Sequence, residues 1–208
     1  MTNQQGKSLI SYLCILIELL IIKPDKIMIT FQKITNSSDP FFTNLYELYQ
    51  LAFPETERRN RNELEQILDH NKQFEADALM KNGNFCGFFT FWNFNTFHYV
   101  EHFAISPDLR GQNAGSETMQ TFMLSHKTPI VLEVEVPDTP EAVRRIKFYE
   151  RLGLHVINQE YAQPYYDRSG NLLPMLIMSN DPHFANEHFN QIKNTLYKEV
   201  YDYNPDNI

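Results

Sequence analysis

Residues 99 to 116, Tyr-Val-Glu-His-Phe-Ala-Ile-Ser-Pro-Asp-Leu-Arg-Gly-Gln-Asn-Ala-Gly-Ser, run from a β-rich segment straight into a glycine-containing turn and then a helical start. That succession builds an anion seat. Backbone N–H groups of the turn and of the first helical residues have no intrahelical acceptor, and together with the helix dipole they favour a phosphate-like group. A second signal follows downstream in Arg144-Arg145-Ile146-Lys147-Phe148-Tyr149-Glu150-Arg151-Leu152-Gly153-Leu154.

Working outward toward the N-terminus, Phe97 to Ile105 reads as a strand closed by Pro107. Phe74 to Lys81 and Phe85 to Phe94 read as two more, joined at the hairpin signal Asn82-Gly83-Asn84. Met28 opens an alternating first strand. Ser37-Ser38-Asp39-Pro40 is a helix start, followed by Phe41, Leu45, Leu48 and Leu51 at helical spacing up to Pro54. Asn62 to His70 is a second short helix. Downstream, a helix is expected from Ala114 to Ser125 and a strand from Ile130 to Val136, with Glu133 and Glu135 on one face and Leu132 and Val134 on the other. Pro140 opens a helix carrying Val143, Ile146, Tyr149 and Leu152, which Gly153 stops. Leu154 to Tyr161 and Leu172 to Ser179 are predicted as the last strands. A closing amphipathic helix over residues 183–203 presents Phe189, Ile192, Leu196 and Val200. This order predicts an α/β fold, a mixed sheet covered by helices.

The 208 residues suit one domain with extensions, and 16 Phe with 11 Tyr suggest an aromatic-rich interior. A net charge of −8 without a Lys/Arg run argues against nucleic acid and anionic membrane as partners and favours a cationic or neutral substrate. Cys14 and Cys86 provide neither a disulfide framework nor a zinc spacing, so no metal is expected and a reducing cytoplasm is the expected location. The apolar run Leu9 to Ile22 is interrupted by Glu18 and is short for a bilayer span. Residues 1–27 therefore read as an extension outside the fold, with a membrane anchor as the alternative. Residues 28–180 form the expected domain, and 181–208 the helix that packs on it or makes a homodimer contact.

Residues 28 to 180 resemble the GNAT superfamily of acyl-CoA-dependent N-acetyltransferases. The signature of that family is Arg or Gln, two residues, Gly, one residue, then Gly or Ala, placed between the fourth strand and the next helix. Here the slot reads Arg110-Gly111-Gln112-Asn113-Ala114-Gly115. Asn113 stands where the first signature glycine usually is, and Asn tolerates left-handed backbone angles. Taken alone, such a turn serves equally for tight packing; the Phe148-Tyr149-Glu150-Arg151-Leu152-Gly153-Leu154 segment favours the family.

The resemblance implies a mostly antiparallel central sheet flanked by helices. It also implies acetyl-CoA as acyl donor, seated on Arg110, Gly111, Gln112, Asn113, Ala114, Gly115 and Ser116. The pantetheine arm would lie along Phe103, Ala104 and Ile105, where the fourth and fifth strands splay. Tyr149 matches the family tyrosine that acts as general acid toward the departing thiolate. Glu101 is the first choice as base, and Glu133 and Glu135 are candidates for holding the acceptor amine, because carboxylates in strands suited to burial need a polar cleft or partners. The competing reading of all three is ion-paired or solvent-facing glutamates. His102 is expected on the opposite face from Glu101, as a packed histidine. Tyr161, Tyr165 and Tyr166 form either a substrate wall or hairpin packing. The implied reaction is acetyl transfer to a primary amine of a small molecule or peptide; the alternative is a noncatalytic acyl-CoA sensor.

Overall fold

The computed structural model describes residues 29–204, so the apolar run at 9–22 and Cys14 lie outside the described residues. The chain opens with strand β1 (Ile29–Ile34), then helices α1 (Pro40–Ala52) and α2 (Arg61–His70). The Asp39 side chain caps α1 by accepting from the Phe41 N–H, with Pro40 in the first turn. Asn60 and Glu63 form a reciprocal capping box on α2. Strands β2 (Phe74–Lys81) and β3 (Asn84–Phe94) meet at a tight turn where Asn82 and Gly83 both take positive φ, 52° and 79°. That geometry matches the twist of the flanking strands, as the Asn-Gly pair predicted.

Strand β4 (Phe97–Ile105) leads to α3 (Ala114–Ser125), β5 (Ile130–Glu135) and α4 (Pro140–Arg151). Thr139 caps α4, and Gly153, with φ of 88°, ends the turn that follows it. The strand expected over Leu154 to Tyr161 is instead two short strands, β6 (His155–Val156) and β7 (Tyr161–Pro164). Both pair with one edge of β8 (Leu172–Ser179), β6 at Met178 and Ser179 and β7 from Leu172 to Met175. The single closing helix expected over 183–203 is broken as well, into α5 (Pro182–Glu187), α6 (Phe189–Thr195) and a π-helical turn over Leu196–Val200. The break falls at His188, whose φ/ψ of −104°/17° leaves the helical region.

The sheet order is β1-β2-β3-β4-β5-β8-β6, with β7 beside β8. Every pairing is antiparallel except β4 with β5. Two apolar layers sandwich the sheet. On one face α1, α2 and the C-terminal segment bury Phe42, Tyr49, Trp92, Tyr99, Phe189 and Leu196. On the other α3 and α4 cover Phe89, Phe91, Val100, Leu132 and Leu154 with Met119, Phe122 and Ile146. Each such side chain contributes about 2 kcal/mol, so both faces of the sheet are firmly covered. This is the mixed, mostly antiparallel α/β fold expected.

Candidate active site

The site begins at an irregularity in β4. Thr90 pairs with His102 and Phe91 with Val100, which leaves Glu101 as the extra residue of a β-bulge. The Thr90 hydroxyl fastens the bulge, donating to the His102 carbonyl at 3.3 Å and accepting the His102 N–H at 3.1 Å. A bulge breaks strand alternation, so Glu101 and His102 share a face, contrary to the expectation of opposite faces. His102 packs edge-on to Tyr49 and Phe53, and its Nδ1 lies 4.0 Å from Glu101 Oε2. Burial pushes the imidazole down to about 4. The neutral ring donates from Nε2 to the Glu57 carbonyl at 2.9 Å.

The Glu101 side chain is wholly buried and fully engaged. It accepts from Arg59 Nη1, from the Tyr166 hydroxyl at 2.8 Å and from Trp92 Nε1 at 3.1 Å. Burial alone would raise its carboxyl; the Arg59 charge, with these hydrogen bonds, outweighs burial and holds it below the usual range. The expected base is therefore a weak one. Arg59 also donates from Nη2 to the Val200 carbonyl at 2.7 Å and lies over the Tyr166 ring at 4.8 Å.

Glu133 on β5 has a different environment. Its Oε1 accepts from Tyr161, and its Oε2 accepts from Tyr99 at 2.7 Å and Tyr201 at 2.5 Å. Burial pushes this carboxyl up to about 7, against the lowering effect of the three tyrosine bonds. The tyrosines are themselves raised well above their usual range, first by burial, and stay protonated donors.

At the far end of β4, Asn113 takes φ/ψ of 64°/3°, the left-handed conformation, and no side chain caps α3. The first-turn N–H groups of Ala114, Gly115 and Ser116 thus lack intrahelical acceptors. Gly111 also has a positive φ, 78°. Gln112 fixes the turn, donating to the Asp108 carbonyl at 3.0 Å and accepting from Lys81 Nζ at 2.9 Å. A Cβ on Gly115 would come within 3.5 Å of Phe148 and 3.8 Å of Phe103, so α3 starts close against β4 and α4.

β4 and β5 pair only over His98, Tyr99 and Val100, against Ile130, Val131 and Leu132. Beyond Val100 no pairing continues, and a cleft of about 240 Å³ occupies the gap. Glu101, Phe103, Ala104, Ile105, Arg110, Glu133 and Tyr149 all line it. Desolvation pushes the Tyr149 hydroxyl up to about 12, partly offset by the Arg145 charge. Glu135 is bound by Arg145 through Oε1, while its buried Oε2 has no partner. Gly111 to Ser116 lie beyond the cleft lining, at the turn into α3.

Sequence reasoning missed Arg59, Lys81 and the ring of tyrosines around Glu133. Arg59 sits in a polar linker that carries no pattern. Of these tyrosines Tyr99 alone left a signal: a glutamate facing inward on a central strand needs donors, and Tyr99 lies on the neighbouring strand β4.

A family model described as Acetyltransferase (GNAT) family matches residues 42–154. A solved GNAT-family protein from Bacteroides thetaiotaomicron, named provisionally as an acetyltransferase, is 35% identical with a TM-score of 0.79, covering 83% of this chain and 98% of that one. The curated Bacillus subtilis (strain 168) protein YjbC, also named provisionally as an acetyltransferase, is 29% identical over 110 residues, 52% of this chain and 55% of that protein. The chain thus spans about half the length of that curated relative. A GNAT acetyltransferase from Elizabethkingia anophelis, solved with acetyl-CoA bound, shares the fold at 14% identity and a TM-score of 0.50, covering 73% of this chain and 96% of that one.

Proposed function

Since the chain belongs to the GNAT family of acetyltransferases, we propose that it moves an acetyl group from acetyl-CoA directly to a primary amine of a small molecule or peptide. The observation that carries this reading is the cleft between the parted ends of β4 and β5, lined by Glu133 and Tyr149 and followed by the open turn into α3. When bound, acetyl-CoA supplies an acetyl group activated as a thioester. The residues present fit such a group. Asn113 holds the left-handed angle that keeps the turn open, and the backbone N–H groups of residues 114–116, with Arg110, offer donors and a positive charge to a diphosphate. Phe103, Ala104 and Ile105 offer strand backbone and an apolar wall to the arm.

Tyr149, protonated throughout the neutral range, holds a proton for the departing thiolate. Glu133, poised near neutrality, takes the proton of the acceptor amine, directly or through water. Glu101 suits this less well, because Arg59 and Tyr166 hold its carboxylate ionised and occupied; its place is to fix the bulge against Arg59. Glu135 is less suited to holding the acceptor as a cation, because Arg145 already compensates its charge and it does not line the cleft.

The test is calorimetric titration of acetyl-CoA, with Gly115→Glu as the control that fills the seat. CoA release is then followed across spermidine, kanamycin, glycine and an alanine-initiated peptide. Micromolar binding lost in the control, with CoA release on at least one amine, is the expected result. Absence of binding overturns the reading, and stoichiometric binding without transfer turns it into an acyl-CoA sensor.

A further inference from the structure

The family match ends at residue 154, yet two of the three donors that hold Glu133 come from beyond it, Tyr161 on β7 and Tyr201 after the π-helical turn. We propose that Tyr201 is a positioning residue for the reaction: through its hydroxyl the C-terminal segment enters the active site and holds the Glu133 carboxylate in the wall of the cleft. This rests on reading Glu133 as the proton acceptor.

The local structure is built to deliver that hydroxyl. In the turn over Leu196–Val200 the Tyr201 N–H reaches the Leu196 carbonyl at 3.2 Å, a five-residue step instead of the four of an α-helix. The wider turn swings Tyr201 inward, where its ring packs on Tyr166 at 5.1 Å. Arg59 anchors the same turn from the α1–α2 linker by donating to the Val200 carbonyl. The segment is thus latched to the residue that also binds Glu101.

Counting acceptor sites gives the chemical consequence. A carboxylate offers about four lone-pair positions. Tyr99 and Tyr201 fill both on Oε2 and Tyr161 fills one on Oε1, which leaves one Oε1 site for a proton. The Tyr99 and Tyr201 hydroxyls lie 3.0 Å apart. Once Glu133 is protonated, one of them can turn its hydrogen to the other and so does not lose its acceptor as the carboxyl is neutralised. The groups facing Glu133 are Tyr99 and Glu101 from β4, Tyr161 from β7, Tyr166 from the β7–β8 loop, Tyr197 from the π-helical turn and Tyr201 just after it. Of these only Glu101 carries charge at neutral pH, and Arg59 compensates it.

The experiment reads the ionisation of Glu133 directly in the full chain, without substrate. Glutamate is labelled with 13C at the side-chain carboxyl, and the resonance missing from Glu133→Gln is followed against pH. Tyr201→Phe removes one donor to the charged form and is expected to raise the midpoint by about one pH unit, the size of one hydrogen bond to a charged group. Tyr203→Phe, in the same segment, leaves it in place. Difluorotyrosine at position 201, a stronger donor of the same shape, lowers the midpoint and keeps the test decisive if the phenylalanine variant fails to fold. A midpoint unmoved by both changes at position 201 overturns the proposal while leaving acetyl-CoA binding intact. Absence of acetyl-CoA binding in the wild type overturns the acetyltransferase reading while leaving the titration shift in place.

Discussion

Arg59 and Glu101 form a buried ion pair whose side chains are 6% and 0% exposed, and the same guanidinium reaches the Val200 carbonyl at 2.7 Å. One cation therefore joins the α1–α2 linker, the β4 bulge and the C-terminal turn. Removing one partner strands the other charge in an apolar layer, whereas removing both leaves no charge to solvate. Arg59→Met is expected to cost about 3–5 kcal/mol in denaturant unfolding, and Arg59→Met with Glu101→Leu appreciably less than the sum of the two single changes. Strict additivity would show that the pair is not coupled in the folded chain.

Stability should depend on pH through Glu133 with a definite sign. Its carboxyl titrates near 7 when folded against an ordinary 4.5, so the folded chain binds more protons between those values. Stability then falls as pH rises from about 4.5 through about 7, by about 3 kcal/mol from this group. His98 and His102, both lowered to about 4 by burial, contribute the opposite slope between about 4 and 6.5. Comparison with Glu133→Gln cancels them. The stability advantage of wild type over the variant should shrink by about 3 kcal/mol from pH 4.5 to 8, and a constant difference would refute the raised carboxyl.

The order of strands and helices was legible because each element carries a local cause. Asn82-Gly83 makes its turn, Asp39-Pro40 and Pro140 start helices, and Gly153 closes one. The turn at Asn113 was legible for the same reason, since the left-handed angle is a property of one residue. What the sequence hid depends on contacts between distant segments. The bulge that turns Glu101 and His102 to one face arises from pairing with β3, and no pattern inside β4 announces it. The division of Leu154 to Tyr161 into two short strands depends on which stretch of β8 each can reach. The break at His188 and the π turn leave the apolar stripe of the closing segment readable as one helix, although Tyr201 reaches Glu133 only because that helix is interrupted. Arg59, Tyr161 and Tyr201 belong to this hidden part, because contacts between segments so far apart in the chain, 42 residues for Arg59 and Glu101, have no local signature.

Gly87 is expected to resist even alanine. It lies opposite Ile105, at the end of β4 that lines the cleft, and a Cβ there would sit 2.4 Å from the Ala104 carbonyl oxygen. That neighbour is backbone and cannot rotate away, so β4 itself must shift. Gly87→Ala should cost about 1–3 kcal/mol in unfolding free energy, in line with overpacking elsewhere. It should also weaken acetyl-CoA binding by calorimetry more than the equally conservative Ala162→Gly on β7. Full stability in the alanine variant would mean that β4 yields at Ala104 without cost.

Tyr149→Phe separates chemistry from binding. The hydroxyl titrates near 12 and lines the cleft shared with Glu133 and Phe103, so it keeps its proton across the pH range in which a free thiol ionises. If it delivers that proton to the leaving sulfur, its loss appears in turnover, where a positioned general acid contributes about 100-fold or more. The ring, its packing on Phe148 at 5.0 Å and the apolar wall remain, so acetyl-CoA affinity should stay within about twofold of wild type. Because the hydroxyl does not ionise below about pH 11, the variant should lower the rate evenly across the neutral range and leave the acid limb, assigned to Glu133, where it was. A rate unchanged by Tyr149→Phe would remove the tyrosine from the chemistry, and a displaced acid limb would mean that it acts through Glu133 instead.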